Sequence, residues 1–487
     1  MIRFSVIIFA LYYAVLGVTA TNAQEAQAGK VVIEPYSLKT FDGKEHPSEL
    51  GRLWVREDRE GSSTRLIQLA FVRLKSAAAK PDSPIVFLMG GPGIPGTVMG
   101  QVPPYFTLFD KLRENADVIL LDQRGTGMSS PNLQCEEKAL IPPDMWESRE
   151  NALREFRRRL VACAAHWKAQ GVNLAAYTTN ASADDVEDLR RAIGADHISL
   201  LSFSYGTELA LAMIRRHGDK LHRVVLQGVR APDMGTTPAD RDIQLQRMSY
   251  LVATNPNIGS LVPDMMAELS QVLAKFDRGP ITITVKNKQT GQPVAISVGK
   301  FGFQSWFSAS FGGPEIPALL YTMKRGDYSI FTRIIEDVYN GGFGDSLMAR
   351  AVNCGSRWSA ERLSRVKNEA ERSPLGDAAS AGLLELCDIV GNPDLGPAFR
   401  SPISSTIPTL FITGTLDNNT PLYQVEEIRW RFPNSVHVIV ENGGHELLPS
   451  PTVQSFVVDF FKGQELGKRF ILQSRPRFLQ VEEAKSR

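Results

Sequence analysis

The chain has 487 residues, of which 43% are hydrophobic and 22% charged, as is ordinary for a globular protein with room for more than one domain. Its 54 Lys and Arg residues nearly balance its 53 Asp and Glu residues. This balance gives no electrostatic reason to expect nucleic acid or an acidic membrane surface as a partner.

The amino-terminal segment has the pattern of a secretory signal. Arg3 precedes an uncharged, mostly apolar run at 4–18, and Thr21-Asn22-Ala23 offers small residues to a signal peptidase. The run of about 15 residues is short for a spanning helix, and an uncleaved anchor is the alternative. We expect residues 1–23 to be removed and the protein to be exported, to the periplasm or the medium, without a membrane attachment.

Strand and helix patterns alternate through the first half of the chain. Short alternating runs within 30–75 favour antiparallel edge strands. Charged or amphipathic patterns predict helices at 147–170 and 181–193. Continuous apolar runs predict strands that are buried on both faces of a parallel sheet, at 84–89, 117–121 and 223–228. This order predicts an α/β fold with a mostly parallel sheet wrapped by helices.

The alternation stops after the strand at 223–228. Residues 233–400 are predicted to be largely helical, with one β-like segment at 281–285, and the sheet pattern resumes afterwards. We therefore predict a core in two parts, 24–232 and 401–487, with 233–400 inserted as a cap over the carboxyl ends of the strands. The basic tail after Gly467 is expected to be loosely packed.

The chain contains four cysteines, and an even count in an exported protein suggests disulfides. Three pairings are possible, and proximity in sequence favours Cys135 with Cys163 and Cys354 with Cys387. Four buried free thiols are the alternative. The spacing matches no zinc pattern, so we expect no structural metal.

A serine lies at the centre of a strand–turn–helix pattern that runs from Ile198 to Ala210. The turn would hold Ser204 in unfavourable backbone angles, with its hydroxyl clear of the sheet, as in the nucleophile elbow G-x-S-x-G. Ser202 replaces the first glycine of that motif, and Gly206 is the last. Small residues are needed at both positions because strand and helix pack closely there.

Two residues further along the chain could activate this hydroxyl. A serine nucleophile needs a base, and the base needs an acid that holds its tautomer. Asp417 and His445 each follow a predicted strand, so both would lie with Ser204 at one rim of the sheet. We predict a catalytic triad of these three residues. Asp233, which follows the strand at 223–228, is the rival acid.

The oxyanion of an acyl-transfer reaction needs two hydrogen-bond donors. One candidate is the main-chain N–H of Tyr205, directly after the nucleophile. The other should come from the loop after the first buried strand, where Gly91 is the better candidate and Gly90 the second, since Pro92 has no N–H.

Taken together, these motifs resemble the proline iminopeptidase and tripeptidyl aminopeptidase family of α/β-hydrolases. The strings that carry the resemblance are Met89-Gly90-Gly91-Pro92-Gly93, Asp122-Gln123-Arg124-Gly125-Thr126-Gly127, Ser202-Phe203-Ser204-Tyr205-Gly206-Thr207, Asp417-Asn418-Asn419-Thr420-Pro421 and Gly444-His445. The resemblance implies an α/β-hydrolase fold with a large, mostly helical cap before the last strands. It also implies a serine aminopeptidase without a cofactor. We interpret the Asp-Gln-Arg-Gly string as a turn that braces the oxyanion loop.

The substrate is expected to be a short peptide, or another small acyl compound, cleaved from its amino end. An aminopeptidase must bind a free ammonium group, which takes carboxylates, and the cap candidates are Glu315 and Asp327. The sequence departs from the family at Met89 and after Cys354 and Cys387, in regions that would contact the substrate. An esterase or amide hydrolase with the same triad, or a non-catalytic binding protein, are the alternatives. The oligomeric state stays open.

Overall fold

The computed structural model describes residues 27–135, 140–341, 344–378, 385–467 and 469–486. The predicted signal sequence, residues 1–23, lies outside the described residues, and its removal stays a prediction.

A ten-stranded mixed sheet forms the centre of the described structure, and two small two-stranded sheets, β6 with β11 and β9 with β10, accompany it. The strands are β1 (Val31–Lys39), β2 (Glu45–Arg56), β3 (Leu66–Leu74), β4 (Asp82–Leu88), β5 (Ala116–Asp122), β6 (Gln134–Cys135), β7 (Ile198–Phe203), β8 (Leu221–Gln227), β9 (Ile281–Lys286), β10 (Pro293–Val298), β11 (Asp345–Ser346), β12 (Thr409–Gly414), β13 (Ser435–Glu441) and β14 (Phe470–Leu472). The order in the large sheet is β1-β2-β3-β5-β4-β7-β8-β12-β13-β14. The first three strands are antiparallel to their neighbours, and from β5 to β14 all neighbours are parallel. The predicted α/β fold class is confirmed.

Helices cover both faces of this sheet and also form the long segment between β8 and β12. They are α1 (Gly96–Gln101), α2 (Pro103–Leu112), α3 (Arg149–Ala169), α4 (Thr179–Ala192), α5 (Tyr205–His217), α6 (Pro238–Ala253), α7 (Met265–Phe276), α8 (Lys300–Ser310), α9 (Ile316–Lys324), α10 (Ser329–Gly341), α11 (Leu347–Gly355), α12 (Ala360–Ala370), α13 (Gly396–Arg400), α14 (Leu422–Ile428), α15 (Pro451–Phe461) and α16 (Val481–Ser486). Along β4, Val86 and Leu88 belong to one hydrophobic cluster, and Ile85 and Phe87 to another. Since successive side chains of a strand point to opposite faces, both faces of β4 are buried, which is why its sequence is continuously apolar.

A long insertion separates two neighbouring strands of the sheet. β8 and β12 are parallel partners, with Val224 beside Thr409, so the chain leaves the sheet after β8 and returns directly beside it. The intervening residues form α6 to α13 and the hairpin of β9 and β10. They have their own aromatic core around Phe303, Phe307 and Phe331. The boundaries 24–232, 233–400 and 401–487 remain a prediction.

The expectation of a loosely packed tail after Gly467 is wrong. β14 extends the sheet by pairing with β13. Phe478 and Leu479 are each 1% exposed, and the Leu479 N–H donates to the carbonyl of Pro314 at 3.0 Å. The basic composition of the tail concealed this apolar pair, whose burial anchors the segment against the helical insertion.

Two disulfides join the cysteines that proximity favours, Cys135 with Cys163 and Cys354 with Cys387. Their sequence separations are 28 and 33 residues, and the two Cα atoms are 5.6 Å apart in each pair. Disulfides are typical of proteins in oxidising compartments. Within the described ranges, no helix combines the length and the apolarity that crossing a membrane requires.

Candidate active site

Ser204 occupies the sharp turn between β7 and α5, with φ 55° and ψ −126°. Residues other than glycine rarely adopt such angles, and two backbone hydrogen bonds hold them here. The Ser204 N–H donates to the Gln227 carbonyl at 3.0 Å, and the Ser204 carbonyl accepts from the Thr207 N–H at 2.8 Å. At Gly206 a Cβ atom would lie 1.9 Å from the Leu88 carbonyl oxygen, so only glycine fits where the helix crosses the strand.

Ser202 shows how a serine can replace the first glycine of the elbow motif. It is fully buried, and its hydroxyl donates to the Val225 carbonyl on the neighbouring strand at 2.6 Å. Because this buried hydroxyl has a hydrogen-bond partner, its burial does not incur the free-energy cost of an unsatisfied polar group. The departure from G-x-S-x-G therefore leaves the turn intact.

The structure brings the three predicted triad residues together. His445 Nε2 lies 3.0 Å from Ser204 Oγ, and His445 Nδ1 lies 2.9 Å from Asp417 Oδ2. Asp417 is fully buried and also accepts from the N–H and the hydroxyl of Thr420, at 2.8 and 2.7 Å. With Nδ1–H directed to the carboxylate, Nε2 is left as the acceptor for the serine proton.

The imidazole is held in place by its surroundings. The Gln227 side-chain amide donates to the His445 carbonyl at 2.7 Å, and the Phe203 ring lies against the imidazole with centroids 4.9 Å apart. Gly228 lies on the other side, at φ +63°, where a Cβ atom would come within 3.1 Å of the imidazole Cε1. The orientation of the ring is therefore fixed by packing as well as by its two hydrogen bonds.

The rival acid Asp233 has another role. It adopts φ 58°, and its carboxylate accepts from the N–H and the hydroxyl of Ser359, at 2.6 and 2.8 Å. Ser359 is the cap residue of α12, so Asp233 anchors that helix. Glu446, beside the histidine, accepts from the Tyr105 hydroxyl at 2.9 Å.

The two predicted oxyanion donors lie next to the serine. Tyr205 is the first residue of α5, so its N–H is among those without an acceptor inside the helix. Gly91 lines the same cavity as Ser204, and no described residue accepts a hydrogen bond from its N–H. Gly90 is closer still to the nucleophile, since a Cβ atom there would lie 2.6 Å from Ser204 Cβ.

The Asp-Gln-Arg-Gly string braces this loop, as interpreted from the sequence. The Gln123 side-chain amide donates to the Met89 carbonyl at 2.7 Å, directly before the two glycines. Asp122 accepts from the N–H and the hydroxyl of Thr97, at 3.0 and 2.8 Å, and so holds the start of α1. Both ends of the oxyanion loop are thereby tied to the end of β5.

Arg124, in the same string, is fully buried and fully partnered. Its Nε and Nη2 donate to the two oxygens of Asp185, each at 2.7 Å. Its Nη1 donates to the carbonyls of Glu57 and Ala176, at 2.8 and 2.9 Å. This is the pattern of a structural guanidinium, with charge and donors satisfied inside the protein.

A cavity of about 430 Å³ lies over Ser204, between the rim of the sheet and the helical insertion. Its wall includes the imidazole of His445 and the side chains of Met89, Phe203 and Trp358. Three arginines also line it, namely Arg230, Arg241 and Arg357. No Asp or Glu is among the described residues that line it.

Comparison with known families agrees with this geometry. A model of the alpha/beta hydrolase fold matches residues 83–276, and a model described as TAP-like protein matches residues 372–469. The first match contains the elbow and the oxyanion loop, and the second contains Asp417 and His445. The chain has the α/β-hydrolase fold.

Proteins similar to this chain include peptidases. It is 26% identical to the putative hydrolase YuaR of Escherichia coli over 36% of this chain and 33% of that protein. It is 26% identical to the serine protease Hip1 of Mycobacterium tuberculosis, over 39% of this chain and 37% of that protein. It is 29% identical to a proline iminopeptidase of Arabidopsis thaliana, over 40% of this chain and 38% of that protein. The matches thus span about a third of the length of each relative. Because two of these relatives are named as peptidases and the TAP-like model matches, the predicted resemblance to the peptidase family is confirmed.

The two predicted ammonium-binding residues of this α/β hydrolase do not line the cavity. Glu315 lies at the start of α9, partly exposed. Asp327 accepts from the Ser329 N–H at 3.0 Å and forms an ion pair with Lys485 at 2.8 Å, which lowers the pKa of this carboxyl to about 2. Both belong to the outer part of the insertion, so the structure does not bring them to Ser204.

Sequence reasoning missed the arginines and the tryptophan that the insertion and its approaches contribute to the cavity. One signal was available for Arg241, because Thr237 and Asp240 form a capping box that fixes the start of α6. The side of α6 that meets the cavity depends on tertiary packing, which the sequence pattern does not specify.

Proposed function

We propose that this α/β hydrolase is an exported serine peptidase that releases residues or short peptides from peptide amino ends through an acyl-enzyme. The observation that supports the catalytic part of this proposal is the series of hydrogen bonds from Ser204 Oγ through His445 to the buried Asp417. A line of this kind, on a strained elbow, is how a serine hydroxyl becomes a nucleophile.

The reaction follows from the positions of these atoms. Ser204 Oγ forms a bond to the scissile carbonyl carbon while its proton passes to His445 Nε2. Asp417 stabilises the imidazolium, and the N–H groups of Gly91 and Tyr205 donate to the oxyanion. The intermediate then collapses with cleavage of the C–N bond, and the leaving amine takes the proton from His445. Water repeats the sequence, releases the acyl group and restores the serine.

Cleavage of peptides is supported by the relatives, two of which are named as a protease and a proline iminopeptidase. Cleavage at the amino end rests on the same resemblance. A free ammonium group needs acceptors, and the described cavity wall offers the side-chain oxygens of Asn353, Asn419 and Gln424 but no carboxylate.

Hydrolysis of esters or amides other than peptides is the second candidate. The observation that favours it is the sign of the charge in the cavity, since arginines line it where an aminopeptidase would be expected to place acids. A non-catalytic binding protein is disfavoured because such a protein has no need of the strained Ser204 or of the hydrogen-bonded triad.

Two measurements test the proposal. A fluorophosphonate probe should label the wild-type protein and not Ser204→Ala, and equal labelling of both would refute the role of Ser204. Aminoacyl and tripeptidyl amides, with free or acetylated amino ends, should then be compared with short acyl esters. Faster cleavage of free amino ends is expected, whereas a preference for acetylated ends or for esters alone would contradict the aminopeptidase.

Export can be tested independently. The two disulfides and the amino-terminal pattern support it. The full chain expressed in a bacterial host should be recovered outside the cytoplasm with a shortened amino terminus. An intact amino terminus in the cytoplasmic fraction would contradict export.

A further inference from the structure

Arg241 is a buried guanidinium in the cavity wall that has no described carboxylate within ion-pair distance, although the charges of the buried Asp417 and Asp240 attract it. The residue is 7% exposed. Its Nη1 donates to the Ser308 carbonyl at 2.9 Å, while its Nε is buried without a partner among the described residues. No described carboxylate forms an ion pair with it. Four of its five N–H donors are therefore left without a described acceptor.

The other buried or cavity-facing arginines of this protein differ from it. Arg124 is satisfied by Asp185 and by backbone carbonyls. In the cavity itself, Arg230 forms an ion pair with Glu208 at 2.8 Å, and Arg357 donates to the carbonyls of Cys354 and Pro393. These three arginines have ion pairs or several carbonyl acceptors, whereas Arg241 has one described hydrogen bond and no described ion pair.

An unpaired buried cation is unfavourable unless something binds to it. Removal of water disfavours the charged form, and burial lowers the pKa of Arg241 to about 10, which still leaves it charged near neutral pH. A planar guanidinium matches the two oxygens of a carboxylate better than any other side chain does. Such an anion, placed in the cavity, would add to the attraction of Asp417 and Asp240 and would supply the missing acceptors.

We propose that Arg241 binds a carboxylate of the substrate inside this cavity, and that the enzyme therefore selects short anionic substrates for attack by Ser204. This inference rests on the proposed function insofar as the cavity is the substrate site. The carboxylate could be the free carboxyl end of a short peptide or the side chain of an acidic residue. Both present the same pair of oxygens, and substrates can be designed to separate them.

The first experiment measures the preference for a carboxylate. Short peptide substrates are compared in pairs that differ only in charge, one pair with a free or amidated carboxyl end and the other with Glu or Gln as the side chain. The wild type should favour the carboxylate by about 10- to 100-fold in kcat/KM in at least one pair, as a charge-assisted hydrogen bond implies. The pair that shows the preference identifies the source of the carboxylate. A wild type without preference in either pair overturns the proposal.

Variants then show whether Arg241 is responsible. Arg241→Met should bring the selectivity ratio close to one. Arg241→Lys keeps the charge but not the paired donors of the planar guanidinium, and should therefore keep part of the selectivity. Arg247→Met is the matched control, because Arg247 lies on the exposed side of the same helix and pairs with Glu441 outside the cavity. An unchanged ratio in Arg241→Met would show that the preference arises elsewhere and would overturn the assignment.

A second measurement needs no variant and no peptide cleavage. Glutarate should slow the labelling of wild-type Ser204 by a fluorophosphonate, and glutaramide at the same concentration should not. Equal effects of the two compounds would overturn the proposal even if Arg241→Met fails to fold. Labelling without cleavage of any peptide would instead refute the peptidase, while the glutarate comparison remains decisive for the carboxylate site.

Discussion

At the scale of single residues, the carboxylate of Asp417 is held in place by contacts other than its hydrogen bond to the histidine. It accepts two hydrogen bonds from Thr420 and one from the Asn419 N–H, at 2.9 Å for the latter. These donors allow only one orientation of the carboxylate, and the Nδ1–H of His445 completes the set. The acid therefore selects the tautomer of the histidine by geometry as well as by charge.

Replacing Asp417 with Asn should keep this shape and abolish most of the activity. The amide can donate to Nδ1, which favours the tautomer with the proton on Nε2 and removes the acceptor for Ser204. We expect kcat to fall by about 10³- to 10⁴-fold, with a melting temperature close to that of the wild type. Steady-state kinetics and thermal unfolding of the purified variant check this.

Asp233→Asn is the matched control for that prediction, since Asp233 is the rival acid. Its contacts with Ser359 anchor a helix of the insertion and do not reach the histidine. The control should retain kcat within about threefold of the wild type. A larger loss in Asp233→Asn than in Asp417→Asn would reverse the assignment of the acid.

A substitution at Ser202 can show whether the stability of the nucleophile elbow and the activity of Ser204 depend on the same contacts. Ser202→Ala removes the buried hydrogen bond to the Val225 carbonyl but keeps a small side chain where strand and helix cross. We expect the free energy of unfolding to fall by about 1 kcal/mol, with kcat/KM unchanged. Denaturant unfolding and kinetics of this variant give both quantities.

The control for Ser202→Ala is Ser455→Ala, in which an exposed hydroxyl loses only a local bond to the Thr452 carbonyl. Its free energy of unfolding should change by less than about 0.5 kcal/mol. If Ser202→Ala lowered kcat/KM strongly, the hydroxyl would have a part in positioning Ser204 that its contacts do not show.

At the scale of elements, the end of β5 supports the oxyanion loop across a gap in sequence. Gln123 holds the Met89 carbonyl, and Gln134 holds the Gly93 carbonyl at 3.1 Å. The two contacts lie on either side of Gly91. Of the two, the Gln123 bond is the shorter and more deeply buried, with Gln123 only 3% exposed.

Gln123→Met should therefore lower kcat more than it raises KM. The thioether matches the length of glutamine but cannot donate, so the N–H of Gly91 loses its fixed position relative to the oxyanion. We expect about a tenfold loss in kcat and a similar loss in kcat/KM, the pattern of an interaction made only in the transition state. Gln134→Met should cause a smaller loss in the same assay. A change confined to KM would show that Gln123 acts on substrate binding instead.

Much of the core and the triad could be predicted from the sequence, because local patterns determine them. Strands such as β4 and β5 are buried on both faces and have nearly continuous apolar sequences. Ser204, Asp417 and His445 each follow a strand, namely β7, β12 and β13, which places them at one rim of the sheet. The brace formed by the string from Asp122 to Gly125 is interpreted from the resemblance to the peptidase family, and the contacts of Asp122 and Gln123 agree with it.

The lining of the cavity could not be predicted, because it depends on contacts between distant segments. Arg241 meets the Ser308 carbonyl from another helix, and Trp358 packs against Gly235, more than a hundred residues earlier. The sequence pattern does not predict the second strand of the cap hairpin, β10, because only its partner β9 alternates clearly between apolar and polar residues. Likewise, Phe478 and Leu479 are buried by helices that sequence periodicity cannot orient.

At the scale of the whole molecule, the two disulfides hold different parts of the structure. The Cys135–Cys163 bond ties β6 to α3. The Cys354–Cys387 bond ties α11 to the turn at Cys387–Val390, and the residues that directly follow α11, Ser356 to Trp358, line the cavity. The Ser356 hydroxyl also donates to Glu208 on α5, the helix that begins behind Ser204. The second disulfide is thus connected both to the cavity wall and to the nucleophile helix.

Removing the disulfides one at a time should separate stability from substrate binding. With loops of 28 and 33 residues, both double variants, Cys135→Ala with Cys163→Ala and Cys354→Ala with Cys387→Ala, should lose about 3–4 kcal/mol of unfolding free energy in the chain-entropy model. Only the second should also raise KM, by several-fold, because the wall formed by Ser356 to Trp358 loses its anchor. Denaturant unfolding and steady-state kinetics with one peptide substrate measure both effects, and the first variant is the matched control. Equal KM values in the two variants would show that α11 keeps the cavity wall in place without its disulfide.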